Sequence, residues 1–163
     1  MPSDVKDVRA LLVHGARDEA RRDGSRTIEA EHVLLALAAT RTTFAARMLA
    51  EAGLTEDAIR AALDREWEQG LAVAGIAIRI GLLPMATPDH GRDPHIGEST
   101  KLMFKRAMEA PPKIGAGRIG PTRILAGLLD TDRSRVARAL QVAGVDRAAL
   151  RAKAAAALAQ GVR

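Results

Sequence analysis

The chain has 163 residues, enough for one domain with a sizeable buried core, and its lack of cysteine excludes disulfides, thiolate metal sites and cysteine nucleophiles. The net charge is +5 and the pI about 10.4, but basic and acidic side chains are interspersed, and two phenylalanines and one tryptophan are the only aromatic residues. Nucleic-acid binding favours basic residues gathered on one face beside stacking aromatics, so this composition argues against it.

The amino terminus and the most apolar run predict neither secretion nor a membrane span. The first ten residues reach charge at once and lack an apolar signal core. The run from Leu71 to Met85 carries Arg79 and ends in Leu83-Pro84, so it is too short and too interrupted to cross a bilayer. We therefore expect a soluble, cytoplasmic protein.

A forty-residue segment occurs twice along the chain. Residues 24–63 align with residues 115–154 at a constant offset of 91, without a gap and with thirteen identities. Most other aligned pairs keep size or polarity, such as Val33 with Ile124. The two halves are therefore predicted to share one backbone plan.

The predicted helices follow the same order in both copies. Apolar residues at helical spacing predict a first helix from near residue 3 to Arg22, ended by Gly24. Pro121 belongs in a first helical turn, which places the cap of the next helix at residue 120 and, by the repeat, at residue 29. The predicted buried stripe of this helix comprises Val33, Leu34 and Leu37 in the first copy and Ile124, Leu125 and Leu128 in the second.

Two further helices complete each copy. Their predicted N-caps are polar residues with short side chains, namely Thr43, Thr55, Ser134 and Asp146. Glycine stops follow at residues 53 and 144, and the last helices run towards Gln69 and Ala159. Four helices per copy predict a single all-α domain over residues 1–163, with repeats at 3–69 and 98–160 and a connector at 70–97.

The connector is rich in glycine and proline at its second end and is predicted to be irregular. Its apolar first half, LAVAGIAIRIGLL, is expected to pack against one repeat, and residues 87–94 to form its exposed part. Ile76, Ile78 and Ile80 alternate as in a strand, but a single strand has no partner here.

Motifs for catalysis and cofactor binding are missing or explained by turns. Glycines at 115, 117 and 120 satisfy GxGxxG, but no strand-like run precedes them, and 115 and 120 have counterparts in the repeat. The histidines at 14, 32, 90 and 95 form no metal-ligand pattern. Neither a GxxxxGK[ST] loop nor a GxSxG elbow occurs. We therefore expect no catalytic residue, no metal, no cofactor and no enzymatic activity.

Glu31 stands apart among the carboxylates because it falls in the first turn of its predicted helix. A negative charge there stabilises a helix by about 0.3–1 kcal/mol through the macrodipole. The alternative is a functional role, in which the carboxylate receives a cationic group of a ligand. The pattern alone favours the helix-stabilising role and leaves the functional one open.

Two long runs of the chain resemble the Clp amino-terminal domain. DEARRDGSRTIEAEHVLLAL, followed by AARMLAEAGL, is similar to its repeat, and so is RIGPTRILAGLLDTDRSRVARALQVAGVD. The resemblance implies two four-helix repeats in a pseudo-twofold all-α domain. In that family the domain precedes AAA+ unfoldase modules and recruits adaptors, substrates and arginine-phosphorylated proteins. No such module follows Arg163, so the chain resembles a stand-alone bacterial form.

The resemblance also implies a guanidinium site. Glu31-His32 matches the Glu-His of the family's first repeat, whose glutamate helps to bind the guanidinium of phosphoarginine. The second repeat has Thr122-Arg123 at the matching positions, which implies that one of two such sites is lost.

A peptide-binding groove between the repeats is the second implied feature. Val13 and Lys101 match positions that line it, whereas Val5 and Ile96 stand where the family tends to carry phenylalanine. The aromatic anchors that would hold the family's cyclic-peptide antibiotics are thus absent. The resemblance implies these ligand-binding residues: Glu31, Val5, Val13, Ile96 and Lys101.

Three hypotheses follow for the function. The first is a non-enzymatic module that captures a peptide, adaptor or protein segment of the Clp system, as a decoy, scavenger or accessory regulator. The second is a nucleic-acid-binding or transcription-linked regulator that uses a basic surface around Arg118, Arg123, Arg133, Arg135 and Arg138. The third is a structural partner that docks onto a full-length unfoldase by contact between repeats.

Overall fold

Eight helices lie within residues 8–113 and 119–163, the parts of the chain that a computed structural model describes. The first repeat holds α1 at residues 8–22, with the π-helical turn Leu11–Ala16, and then α2 (Ala30–Ala39), α3 (Phe44–Glu51) and α4 (Glu56–Val73). The second repeat holds α5 (Glu98–Glu109), α6 (Pro121–Leu129), α7 (Arg135–Val142) and α8 (Arg147–Ala159). The predicted all-α fold is confirmed, whereas the repeat boundaries at 3–69 and 98–160 stay predictions.

The predicted helix starts at residues 29, 43, 55, 120, 134 and 146 are confirmed. Side-chain oxygens of four caps accept hydrogen bonds from the amide three residues later at 2.9–3.2 Å, namely Thr43, Thr55, Ser134 and Asp146. Glu29 and Gly120 are the N-caps of α2 and α6, and Pro121 occupies the first turn of α6. Caps satisfy amides that lack a partner inside the helix, which is why local sequence sets these boundaries.

α2 and α6 form the centre of the core. Both are apolar around most of their circumference, and helices of that kind are stable only when they are covered on all sides. Every residue of α6 is buried, and so are Ala30–Leu37 of α2, so the buried surface is wider than the predicted stripe. The two helices contact each other, while α2 contacts α7 and α6 contacts α3. This exchange of partners is the pattern that a twofold relation between the repeats produces.

The outer helices α1 and α5 each pack closely against a central helix. A Cβ atom on Gly15 of α1 would lie 2.8 Å from the Cβ of Ala36, and one on Gly127 of α6 would lie 2.4 Å from the carbonyl oxygen of Met103. Real Cβ contacts are longer than this. Glycine therefore sets the spacing between helices at both places.

A short parallel strand pair joins the repeats, which the sequence did not predict. Thr27–Ile28 (β1) pairs with His95–Ile96 (β2). The amide of His95 donates to the carbonyl of Arg26 at 3.1 Å, and the amide of Gly97 donates to that of Ile28 at 3.0 Å. The end of the connector is thereby fixed beside the start of α2.

The expectation that the apolar first half of the connector packs against a repeat was wrong, whereas residues 87–94 are mostly exposed, as predicted. The apolar half lies on the surface, with Val73 and Leu82 exposed by 91% and 83%. One reason is that α4 continues to Val73, four residues beyond the predicted Gln69. Beyond it, Ile80–Leu82 is a 3-10 turn rather than a strand.

The second half of the connector docks instead. The amide of Asp89 donates to the carbonyl of Arg21 at 3.0 Å, and Arg21 Nε donates to the carbonyl of Arg92 at 2.8 Å. Pro94 is buried. Hydrogen bonds to α1, rather than apolar burial, thus determine which half of the connector lies against the first repeat.

Within the described ranges no single helix is long and apolar enough to cross a membrane. Only α2 and α3 taken together reach that length and composition, and they are bent by 96° relative to each other.

Candidate functional site

Glu31 lies where the sequence predicts it, in the first turn of α2, two residues after the N-cap Glu29. Its side chain is 11% exposed, and its Oε1 accepts a hydrogen bond from Nη1 of Arg135 at 3.0 Å. Arg135 is the first residue of α7, in the other repeat. The carboxylate for which a cationic ligand group is predicted therefore already binds a guanidinium of the same chain.

A second buried carboxylate, Glu66 of α4, binds the same arginine. Its Oε2 accepts from Nε of Arg135 at 3.1 Å, and its Oε1 accepts from Nε of Arg138 at 2.7 Å. We call Glu31, Glu66, Arg135 and Arg138 the inter-repeat ion cluster. Two carboxylates from the first repeat and two guanidinium groups from the second alternate in sign across the boundary between the repeats.

The charges of the cluster reinforce one another. Burial lowers the pKa of Arg135, but the carboxylates of Glu31 and Glu66 outweigh that effect and raise the pKa above its ordinary value. Hydrogen bonds between ionised groups are about twice as strong as neutral ones. The pair Glu31 and Glu66 is thus a preformed acceptor for a planar guanidinium, with one carboxylate at Nη1 and the other at Nε.

Glu66 was not among the residues predicted from the sequence, although a signal for it exists. Ile59 and Leu63 are buried on α4, and Glu66 follows them at helical spacing. A carboxylate on the buried face of a helix requires a cation or several hydrogen-bond donors. Its position in that series indicates a buried ionic partner, but not which arginine provides it.

The matching positions of the second repeat have a structural role. Arg123 is 3% exposed, and its guanidinium donates to the carbonyls of Ala107, Ala110 and Pro112 at 3.2, 2.5 and 2.7 Å. Burial lowers the pKa of this arginine. Thr122 is fully buried. The second repeat therefore offers no acidic acceptor where the first has Glu31, as its sequence implies.

His32 is likewise structural. Its Nδ1 accepts a hydrogen bond from the amide of Glu29 at 2.9 Å, and its Nε2 lies 3.2 Å from Oδ2 of Asp23. Because Nδ1 accepts, the ring proton is on Nε2 and is donated to Asp23. The histidine completes the cap of α2 and holds the turn that carries Glu31.

The predicted groove residues do not line a described cavity. Val13 is half-buried on α1, Ile96 on β2 is 51% exposed, and Lys101 on α5 is exposed and paired with Glu98 at 2.5 Å. Val5 lies outside the described residues. A depression of about 450 Å³ lies elsewhere, between α7 and the start of α8. The groove stays a prediction.

Ser99 connects the start of α5 to the cap of α2. Its hydroxyl donates to the carboxylate of Glu29 and accepts from the amide of Ala30 at 2.8 Å. The hydroxyl of Thr100 donates to the carbonyl of Ile28 at 2.7 Å. These bonds fix the segment between Ile96 and Lys101 against the helix start that presents Glu31.

Three of the four described arginines of the second hypothesis are engaged within the protein. Arg123 is buried against carbonyls, and Arg135 and Arg138 bind the carboxylates of the ion cluster. Arg118 lies outside the described residues, which leaves Arg133 as the exposed arginine of the set without an ion pair in the described parts of the chain. Duplex DNA binding requires several free cations on one face, which these internal contacts disfavour, and the nucleic-acid hypothesis stays a prediction.

A metal site has no support within residues 8–113 and 119–163. No three histidine or carboxylate side chains come together there in a way that could hold an ion. His90 and His95 lie in the connector and β2.

Comparison with known families gives one match. The family model described as the Clp repeat (R) N-terminal domain matches residues 9–110, which cover most of the first repeat, the connector and α5. No curated protein matches the sequence significantly.

Proposed function

The chain belongs to the Clp repeat N-terminal domain family, a family of protein-interaction modules of the Clp system. On that premise we propose that it binds peptide or protein segments by accepting a guanidinium group of the ligand. It acts without catalysis, in the cytoplasm, as a decoy, scavenger or accessory regulator of arginine-phosphorylated proteins or Clp adaptors.

One observation carries this proposal. The carboxylate of Glu31 is buried in the first turn of α2 and holds the guanidinium of Arg135 at 3.0 Å. A carboxylate that binds one arginine in this geometry has the charge, burial and orientation to bind another. This supports a role for Glu31 beyond simple stabilisation of the helix start.

The chemical type of the ligand group follows from the arrangement of acceptors in the site. Oxygens of both carboxylates face a single planar group, which favours arginine over lysine because only a guanidinium offers several donors in a fixed fork. Phosphoarginine keeps that fork and adds an anionic group, and the neighbouring Arg138, 54% exposed, is a cation that could meet it.

Titration calorimetry of phosphoarginine tests the proposal. Changing Glu31 to Ala removes one charge-assisted acceptor, and we expect binding to weaken about 10- to 100-fold relative to the wild type. Glu56→Ala is the matched control. Glu56 also lies in the first turn of a helix, but its side chain is partly exposed and its nearest ion-pair distance, to Arg60, is a long 3.9 Å. Equal affinities of the wild type and Glu31→Ala would remove Glu31 from the account.

A further inference from the structure

We infer that Arg135 is a built-in competitor for the proposed ligand, so that the site is closed until Arg135 leaves Glu31. The inference rests on the proposed function and adds its regulation. Glu31 and Glu66 are 11% and 10% exposed, whereas Arg135, which contacts both, is 37% exposed. The arginine is thus the solvent-facing partner, and a ligand guanidinium that reaches Glu31 takes its place.

The position of Arg135 on α7 makes it displaceable. It follows the N-cap Ser134 directly, and a positive charge in the first turn of a helix opposes the macrodipole. The carboxylates, rather than its own helix, therefore keep this side chain in place. Once displaced, it can extend into solvent from the helix start without disturbing the buried face of α7, where Val136 and Leu140 lie.

Arg138 keeps Glu66 paired with a cation during the exchange. Its Nε donates to Oε1 of Glu66 at 2.7 Å, on the oxygen that Arg135 does not use. When Arg135 leaves, Glu66 keeps one guanidinium, and Glu31 gains that of the ligand. No buried carboxylate is left without a cation in the open state, which avoids the large cost of an unpaired buried charge.

The expected size of the effect follows from population arithmetic. The apparent dissociation constant is the intrinsic one divided by the fraction of molecules in the open state. A site that is closed in about 90–99% of molecules binds about 10- to 100-fold more weakly than a permanently open one. Removing Arg135 should restore the intrinsic affinity.

The experiment compares phosphoarginine binding to the wild type, Arg135→Ala and the double variant Glu31→Ala/Arg135→Ala. We expect Arg135→Ala to bind at least about tenfold more tightly than the wild type, and the double variant to lose that gain. Arg133→Ala is the matched control, since it removes the same charge from an exposed arginine one residue before the cap of α7. It should bind as the wild type does.

Arg135→Lys covers the case in which the alanine variant does not fold, as judged by its circular dichroism melt. A lysine keeps the charge but cannot bridge both carboxylates in the same fork, so a smaller gain in affinity is expected. In the wild type, the Nε–H signal of Arg135 in nitrogen-15 NMR should shift when phosphoarginine is added.

The outcomes separate the two claims. If the wild type binds through Glu31 but neither Arg135 variant gains affinity, or if the Nε–H signal of Arg135 stays unchanged at saturation, the competitor role is wrong and the proposed function stands. If no variant binds phosphoarginine, including the permanently open Arg135→Ala, the proposed function is wrong and the competitor role with it.

Discussion

Glu29 connects the two repeats through a single side chain. Its carboxylate accepts hydrogen bonds from the hydroxyl of Ser99 and, at 3.3 Å, from the amide of Ser99. Burial raises the pKa of Glu29, but the hydrogen bonds from Ser99 and Thr27 together outweigh it, so that the pKa lies below its ordinary value of 4.5. The ionised form is therefore the one that the folded protein favours.

Acidification should weaken the fold through this residue. A depressed pKa contributes stability that is complete above the unfolded value and is lost as the pH falls through the folded value. We expect the free energy of unfolding of the wild type to fall more between pH 6 and pH 3 than that of Glu29→Gln, which cannot titrate. Urea titrations across this range measure the difference, and parallel pH profiles would contradict it.

Packing between helices determines the next level of organisation, and α5 against α6 is the tightest case. The position of Gly127 admits no side chain, since a Cβ atom there would lie 2.4 Å from the carbonyl oxygen of Met103 and 2.9 Å from the Cβ of Ala107. Gly70 also lies within a helix, but a Cβ atom there would have no neighbouring atom within 4 Å. The two glycines therefore serve different purposes.

The same substitution should have opposite effects at these two positions. Gly127→Ala forces α5 and α6 apart, and overpacking of this kind costs about 1–3 kcal/mol. Gly70→Ala meets no neighbour and restricts the unfolded chain, so it should stabilise the protein by about 0.4–1 kcal/mol. Urea unfolding of both variants measures the contrast. A destabilised Gly70→Ala, or an unchanged Gly127→Ala, would show that the α5–α6 spacing is not as described.

Element boundaries were largely predictable because their causes are local. Thr43 and Ser134 cap helices with their own side chains, and the glycine stops at 24, 53 and 144 adopt φ of +63°, +77° and +73°. The β1–β2 pair and the docking of the second half of the connector depend on contacts about seventy residues apart, such as Arg21 with Arg92. No local pattern carries that information.

At the scale of the whole molecule, the ion cluster is a place where the repeats meet in charge rather than in apolar contact. α4 lies along α7, and Glu66 reaches Arg135 and Arg138 across that boundary. The sequence predicted the position of Glu31 from its helix start. It could not predict Arg135 as its partner, since 104 residues separate them and any of twenty arginines could have filled the role.

The internal pairing also affects which ligands the site would select. An acceptor that is free in the resting protein would bind guanidinium groups indiscriminately, whereas one held by Arg135 selects ligands that offer more than the internal arginine does. Specificity is a difference of affinities, and the competitor sets the threshold. The module is thus predicted to ignore ordinary surface arginines and to respond to a guanidinium with additional contacts.

A crystal structure of the protein with phosphoarginine bound tests the central claim most directly. The account predicts ligand guanidinium nitrogens within about 3 Å of the Glu31 carboxylate, with Arg135 withdrawn and Arg138 still on Glu66. A ligand bound elsewhere, with Arg135 still on Glu31, would contradict it.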